Sequence, residues 1–248
     1  MPDSLGPRLK LGIVLPSTNT SAQPEMESLR PHHVTNHTGR MLIGDDSMVD
    51  EPGFDHVMHS IRRSTVPAIE SVVSCNPDGV VIGVSPESYW DGPDSHSRVL
   101  ASLTEAADGL PVIMSPDAIK AALDVYRARR VAVITPYLPV GDDSVSRFFK
   151  DNDYDVVRIQ GLGVSSPAKI SHVSEAQLRD TVRDIDGPDV DAIVQVGTNV
   201  AMTRLAAVAE TWLDKPVISN NTVLYWHALR RLGITDHVHG HGSLLSEH

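Results

Sequence analysis

Three short apolar phrases occur along the chain and then occur again in the same order. Leu11-Gly12-Ile13-Val14-Leu15-Pro16-Ser17 is matched by Val131-Ala132-Val133-Ile134-Thr135-Pro136-Tyr137, and Asp78-Gly79-Val80-Val81-Ile82-Gly83-Val84-Ser85 by Asp191-Ala192-Ile193-Val194-Gln195-Val196-Gly197-Thr198-Asn199. Pro111-Val112-Ile113-Met114-Ser115 is matched by Pro216-Val217-Ile218-Ser219-Asn220. The runs do not alternate, which predicts strands covered on both faces, and each closes on a hydroxyl or amide residue. Stretches with helical spacing lie between them, clearest at 118–129, 175–185, 200–213 and 223–232. Ser174 followed by Gln177 reads as a capping box. Asn221 or Thr222 is placed to cap the last helix, and Asp117 to cap the helix after Ser115. Strand–helix alternation predicts an α/β fold of two similar halves, each with a parallel sheet and right-handed crossovers. The expected division is 1–117 plus 220–248 for the first half and 118–219 for the second, the last helix crossing back to the first. Polar groups gathered at the carboxyl ends of such strands mark the edge where ligands bind.

Composition narrows the function. A chain of 248 residues, 41% hydrophobic, fits a globular protein. Its net charge of −11, with no Lys/Arg cluster, argues against nucleic-acid binding. A bound anion would have to be held by backbone N–H groups and hydroxyls. Residues 1–10 carry no apolar stretch suited to a secretion signal, and no run elsewhere is long enough to span a bilayer, so no membrane partner and a cytoplasmic location are expected. The single cysteine, Cys75, excludes an internal disulfide and a multi-thiolate zinc site. Among 12 histidines, His237, His239 and His241 alternate and would share one face of a strand, yet only Asp236 and Glu247 lie near them, so no metal is expected. His56 and His59 read as a helix face. There is no dinucleotide fingerprint and no P-loop.

Chemistry concentrates at the strand ends. Ser17, Thr18 and Asn19 follow the first strand, where they can turn N–H groups toward a carboxylate or simply cap the next helix. Gly197, Thr198 and Asn199 carry the same two readings at the matched place. Ser85-Pro86-Glu87-Ser88-Tyr89-Trp90-Asp91-Gly92 sets two hydroxyls, a carboxylate and two aromatic rings just past a buried strand. Glu87 beside aromatic walls would be desolvated and its pKa raised toward acid/base use; the alternative is an ordinary loop carboxylate in water. Tyr137 can donate to a substrate oxygen or an enolate-like intermediate, or pack between the halves.

With these phrases laid out, the chain resembles the Asp/Glu racemase superfamily, in its maleate cis-trans isomerase and arylmalonate decarboxylase branch. The resemblance runs from Leu11 to Leu245 and is most specific at Leu15-Pro16-Ser17-Thr18-Asn19-Thr20, Val196-Gly197-Thr198-Asn199 and Pro216-Val217-Ile218-Ser219-Asn220-Asn221-Thr222. It implies two pseudo-symmetric Rossmann-like domains with a cofactor-free site in the cleft between them. It also implies acid/base thiols, one from each half in the racemases and isomerases and only the second in the decarboxylase. Those positions correspond here to Val84 (or its neighbour Ser85) and Gly197, and neither is a cysteine. Cys75 should lie at the opposite end of its strand as an inert thiol. Ser17, Asn19, Ser85, Thr198 and Tyr137 occupy carboxylate-holding positions, Tyr137 matching a family tyrosine.

The leading expectation is therefore a cofactor-independent lyase or isomerase acting on a small carboxylate or dicarboxylate through an enediolate, with Glu87 as proton donor and Tyr137 second. One alternative is a hydrolase with Ser85 as nucleophile, needing a histidine base such as His96 or His227. Another is a carboxylate-binding protein that has lost catalysis. A homo-oligomer, dimer or tetramer, is the default assembly.

Overall fold

The computed structural model describes residues 3–248; Met1 and Pro2, the first two residues of the expected first half, lie outside the described residues. All six apolar phrases are strands. The first sheet contains β1 (Leu9–Pro16), β2 (Val34–Met41), β3 (Gly79–Ile82) and β4 (Val112–Ile113), in the order β2-β1-β3-β4. The second contains β5 (Arg130–Thr135), β6 (Asp155–Gly161), β7 (Ala192–Gln195) and β8 (Val217–Ser219), in the order β6-β5-β7-β8. Every pairing is parallel, and the two orders are the same permutation of consecutive strands. The two edge strands β2 and β6 were absent from the sequence reading. They mix polar and apolar residues and are mostly only partly buried, so they give no unbroken apolar run.

Nine helices fill the connections among the described residues: α1 (Ala22–Ser28), α2 (Glu51–Val73), α3 (Pro93–Ala106), α4 (Ser115–Tyr126), α5 (Pro139–Asp151), α6 (Glu175–Ile185), α7 (Thr203–Leu213), α8 (Asn220–Arg231) and α9 (Ser243–Glu247). Single 3-10 turns form at Pro86–Ser88 and Ala168–His172. None is long and apolar enough to cross a membrane. Ser174 caps α6 by accepting from the Gln177 N–H at 3.2 Å. Two expected caps are corrected. Ser219, not Asn221 or Thr222, caps α8, accepting from the Thr222 N–H. Asp117 lies inside the first turn of α4, whose cap position is Met114, and its carboxylate pairs with His96 Nε2 at 3.0 Å. His237, His239 and His241 form no strand; they lie in the irregular segment before α9.

The long helix α2 covers β1 and β2 with Phe54, Val57, Ile61, Ala68, Ile69 and Val72. At Gly39 the helix approaches so closely that a Cβ would stand 2.5 Å from the Ala68 carbonyl oxygen, so only glycine fits there. Helix α8 is buried on all sides and packs on α4, β3 and β4 as well as on β8, touching both sheets. Its Leu224 is fully enclosed.

Because α8 belongs to the packing of both sheets, the two halves should unfold together. Urea melts followed by far-UV circular dichroism, which reads the secondary structure of both halves, and by tryptophan fluorescence, in which Trp90 reports on its contact with Phe148 and Asp151 of α5, are expected to coincide. Leu224→Ala should lower stability by about 3 kcal/mol without separating the two transitions.

Candidate active site

The carboxyl edges of the two sheets face each other, and buried side chains join them. Asn19 Nδ2 donates to Thr198 Oγ1 at 3.0 Å, and that hydroxyl donates to the Gly83 carbonyl at 2.9 Å. Asn199 Oδ1 accepts from the Thr20 and Ser21 N–H groups at 3.0 and 3.2 Å, while its Nδ2 donates to the Pro167 carbonyl at 2.9 Å. Asn19 Oδ1 also accepts from the Ser21 and Ala22 N–H groups, fixing the start of α1. Lower in the cleft, the half-buried Glu25 of α1 accepts from the Thr203 N–H at 2.8 Å and from Asn221 Nδ2 at 2.6 Å. Burial pushes its carboxyl above the ordinary value, with these bonds opposing.

Between the sheet ends lies a cavity of about 430 Å³ counting its open mouth. Of the residues picked from sequence, Thr18, Asn19, Val84, Ser85, Tyr137, Gly197, Thr198 and Asn199 line it. Ser17 does not: it is exposed, and its hydroxyl is occupied by the Ile43 backbone, donating to the carbonyl and accepting from the N–H at 3.1 Å each. Asn19, Thr198 and Asn199 form part of the wall, but their side chains are engaged in joining the halves. The backbone N–H groups of Ser85, Gly197, Thr198 and Asn199 find no protein acceptor among the described residues. One comes from the loop after β3 and three from the loop after β7, so the loop that joins the halves through Thr198 and Asn199 also presents free donors to the cavity. Gly197 has φ +98°, and a Cβ there would stand 2.8 Å from Pro136 Cγ.

Glu87 is placed differently from the expectation. It lies behind the wall, 4% exposed, and does not line the cavity. Its Oε1 accepts from the Ser85 and Tyr137 hydroxyls at 2.5 Å each, and those hydroxyls stand 3.0 Å apart. Its Oε2 is sealed and has no partner. Burial raises the Glu87 pKa, opposed by the two hydroxyls; burial, reinforced by Glu87, lifts the Tyr137 phenol well above its ordinary value. A 3-10 turn explains the geometry. Pro86 opens it, and the tight path from Ser85 to Ser88 folds the Glu87 side chain back under Ser85.

The rest of the wall escaped the sequence reading. Ile43 and Met48 come from the segment after β2; Val57, Met58 and Ile61 from α2; Ile170 from the 3-10 turn at Ala168–His172. The segment is strapped to the second half by the Met48 N–H donating to the Ser165 carbonyl and the Ala168 N–H donating to Asp45 Oδ1, both at 2.8 Å. The apolar spacing of Phe54, Val57, Met58 and Ile61 along α2 is the one sequence signal for this part of the wall. No lysine, arginine, histidine or cysteine lines the cavity. His96 is taken by Asp117 and does not reach Ser85, whose hydroxyl partners are Glu87 and Tyr137. Burial lowers the pKa of the half-buried His227, and it does not line the cavity either. Cys75 follows α2, with its Sγ bonded to the Val72 carbonyl, and precedes β3 at the amino end of that strand. Among the described residues no group of three or more His, Cys, Asp or Glu side chains is gathered to hold a metal.

The sequence profile of arylmalonate decarboxylase matches residues 11–245. The chain belongs to the arylmalonate decarboxylase family. The chain is similar to the maleate isomerase of Pseudomonas putida, 24% identical over 246 residues and covering 96% of this chain and 97% of that protein, and to the maleate isomerase of Nocardia farcinica, 26% identical over 248 residues and covering 96% of each. The fold superposes on a solved structure of the Nocardia farcinica maleate cis-trans isomerase, a cysteine-to-serine mutant with a covalently bound succinylcysteine intermediate. The TM-score is 0.86 at 24% identity, over 97% of this chain and 99% of that one. The decarboxylase-family fold thus accounts for both sheets and for the cleft between them.

The buried carboxyls have a consequence for stability. Above the ordinary carboxyl pKa the unfolded chain has released the Glu87 proton while the folded chain retains it, so stability falls as pH rises from that value toward the raised one. Glu25 acts in the same direction. As pH rises above the ordinary carboxyl range the wild-type protein should therefore lose melting temperature relative to Glu87→Gln, while His227, held neutral by burial, acts in the opposite direction in both proteins; equal slopes in the two proteins would mean that Glu87 titrates normally.

Proposed function

We propose that this protein is a cofactor-independent enzyme of the decarboxylase and isomerase type that handles a small carboxylate bearing an apolar substituent, using hydroxyl rather than thiol chemistry. The observation that carries this reading is the triangle of Ser85, Tyr137 and Glu87, which puts two hydroxyls on the cavity wall in direct contact with one buried carboxyl. The Nocardia farcinica isomerase structure holds a succinylcysteine. Here no thiol lines the cavity, so an adduct of that kind has no counterpart.

The cavity favours one held carboxylate. Free N–H groups at Ser85, Gly197, Thr198 and Asn199, with the Ser85 hydroxyl, supply donors at one end. Ile43, Met48, Met58 and Ile170 supply an apolar surface at the other. For a malonate-type substrate, the second carboxylate would lie against that surface without hydrogen bonds, which raises its free energy. Its C–C bond breaks, carbon dioxide leaves, and the electron pair passes into the held carboxylate as an enediolate stabilised by the donors. Tyr137 then gives its proton to the α-carbon, and the Glu87 carboxyl returns one to the phenolate. A raised phenol pKa is no obstacle, because the enediolate carbon is a far stronger base than a phenolate. Glu87 acts through Tyr137 and is a positioning and proton-supplying residue without contact to substrate.

The hydrolase reading has lost its support, because no histidine reaches Ser85. A carboxylate-binding protein remains the second reading, favoured by a wall that offers free backbone N–H donors while its one titratable group is the Tyr137 phenol.

The deciding experiment incubates the protein in deuterated water with 2-alkyl- and 2-arylmalonates, simple 2-substituted carboxylates and maleate, followed by NMR. Loss of carbon dioxide with deuterium at the α-carbon is expected, and Tyr137→Phe should lower turnover by about 10²–10⁴-fold. Ligand line broadening with no turnover across the panel would favour the binding protein. Within the panel, malonates with an apolar substituent should outperform maleate, whose second carboxylate meets no cation in the wall; a preference for maleate would sink the assigned substrate class.

A further inference from the structure

A second cleft lies on the far side of the triangle. It opens between α2, α5 and the segment after Ser85, and its wall includes Glu87 together with Met58, Arg62, Trp90 and Arg147. Ser85 and Tyr137 belong to the wall of the front cavity only, Glu87 to the wall of the rear cleft only. Glu87 is thus the partition between the two, with Oε1 engaged by the front hydroxyls and Oε2 sealed and unpartnered.

We propose that the rear cleft is the proton entrance of the site: its wall includes Glu87, and a small movement that uncovers the sealed Oε2 on that side lets water load a proton there while substrate fills the front cavity. The proposal rests on the proton relay described above. Tyr137 is the one titratable group in the front wall, so a front cavity filled by substrate holds no other proton source on the protein. The rear cleft is lined by Asp55, His59 and Arg62 from α2, Asp91 from the loop and Arg147 from α5, a polar wall that water can wet. On the front side only Tyr137 faces Glu87, and Asp142 of α5 acts on that phenol from a distance. Handing the loaded proton to Tyr137 needs one further movement. Oε1 accepts both hydroxyls, so the proton of a neutral carboxyl sits on Oε2; a half-turn about the terminal torsion, which is soft and two-fold in glutamate, presents it to the Tyr137 oxygen. The O–H bond at Glu87 breaks, the O–H bond at Tyr137 forms, and the carboxylate left behind takes its next proton from rear-cleft water.

The test needs no substrate. The carboxylic-acid C=O band of the protein is followed by infrared spectroscopy after rapid mixing into deuterated buffer at mildly acidic pH, and the part lost in Glu87→Gln is assigned to Glu87. Glu25 contributes a separate band that this variant retains. In the wild-type protein the Glu87 band should shift within the mixing time. Ser144→Trp, which fills the rear cleft from α5, should leave exchange to local opening and slow it by about an order of magnitude or more. Thr18→Trp, which fills the front cavity, should leave it fast. Asp91→Trp on the exposed rim of the rear cleft takes the place of Ser144→Trp if that variant does not fold. Slowing by the front plug alone, or by neither plug, overturns the rear entrance while leaving the relay standing. Absence of any band removed by Glu87→Gln means the carboxyl is ionised, and overturns the relay together with its entrance.

Discussion

Two parallel sheets that share no strand meet edge to edge, and buried side-chain bonds hold that meeting in one register. Asn19, Thr198 and Asn199 span it directly, and Glu25 ties α1 to the starts of α7 and α8. Each is a polar group withdrawn from water, so each is costly unless its partner is present; an orphaned buried donor or acceptor costs about 1–3 kcal/mol. That penalty makes the relative placement of the halves specific, where apolar contact alone would tolerate sliding. The cavity exists because of this join. Its polar end is made from the same loops, whose side chains face the opposite half while their N–H groups are left for a ligand.

The triangle behind the cavity follows a different economy. Glu87 is enclosed with only one oxygen satisfied, an arrangement that lowers stability at neutral pH and that a purely structural loop has no reason to keep. Proteins tolerate such groups chiefly where chemistry uses them. The two hydroxyls turn one hidden carboxyl into two addressable positions on the wall, so that proton supply and carboxylate recognition share three residues.

Much of the fold was legible because its signal is local. Six buried strands appear as unbroken apolar runs, and repetition of three phrases in order gave the pseudo-symmetry directly. β2 and β6 were missed because an edge strand is half exposed and reads as polar, as Thr35, Asn36, His37 and Thr38 illustrate. The site was half legible for the same reason. Strand-end residues such as Ser85, Tyr137, Gly197 and Thr198 are fixed to the cleft by topology, whereas Ile43, Met48 and Ile170 reach it through long-range straps that leave no periodic trace. Ser17 and Glu87 fail in opposite ways: a one-residue change of direction after β1 turns Ser17 out to the Ile43 backbone, and a 3-10 turn tucks Glu87 under its neighbours.

Gly197 carries an implication for the history and redesign of this cleft. Its left-handed backbone, with Pro136 pressed against the place where a Cβ would sit, makes the end of β7 a position that side chains of every kind must avoid. A reactive group cannot be reinstated there by one codon change, because Pro136 and the φ of the loop would have to change with it. The end of β3 is under no such bar, since Val84 already carries a Cβ into the cavity. The two matched strand ends, equal in topology, are therefore unequal in what they can become: one is closed to new chemistry and the other is open.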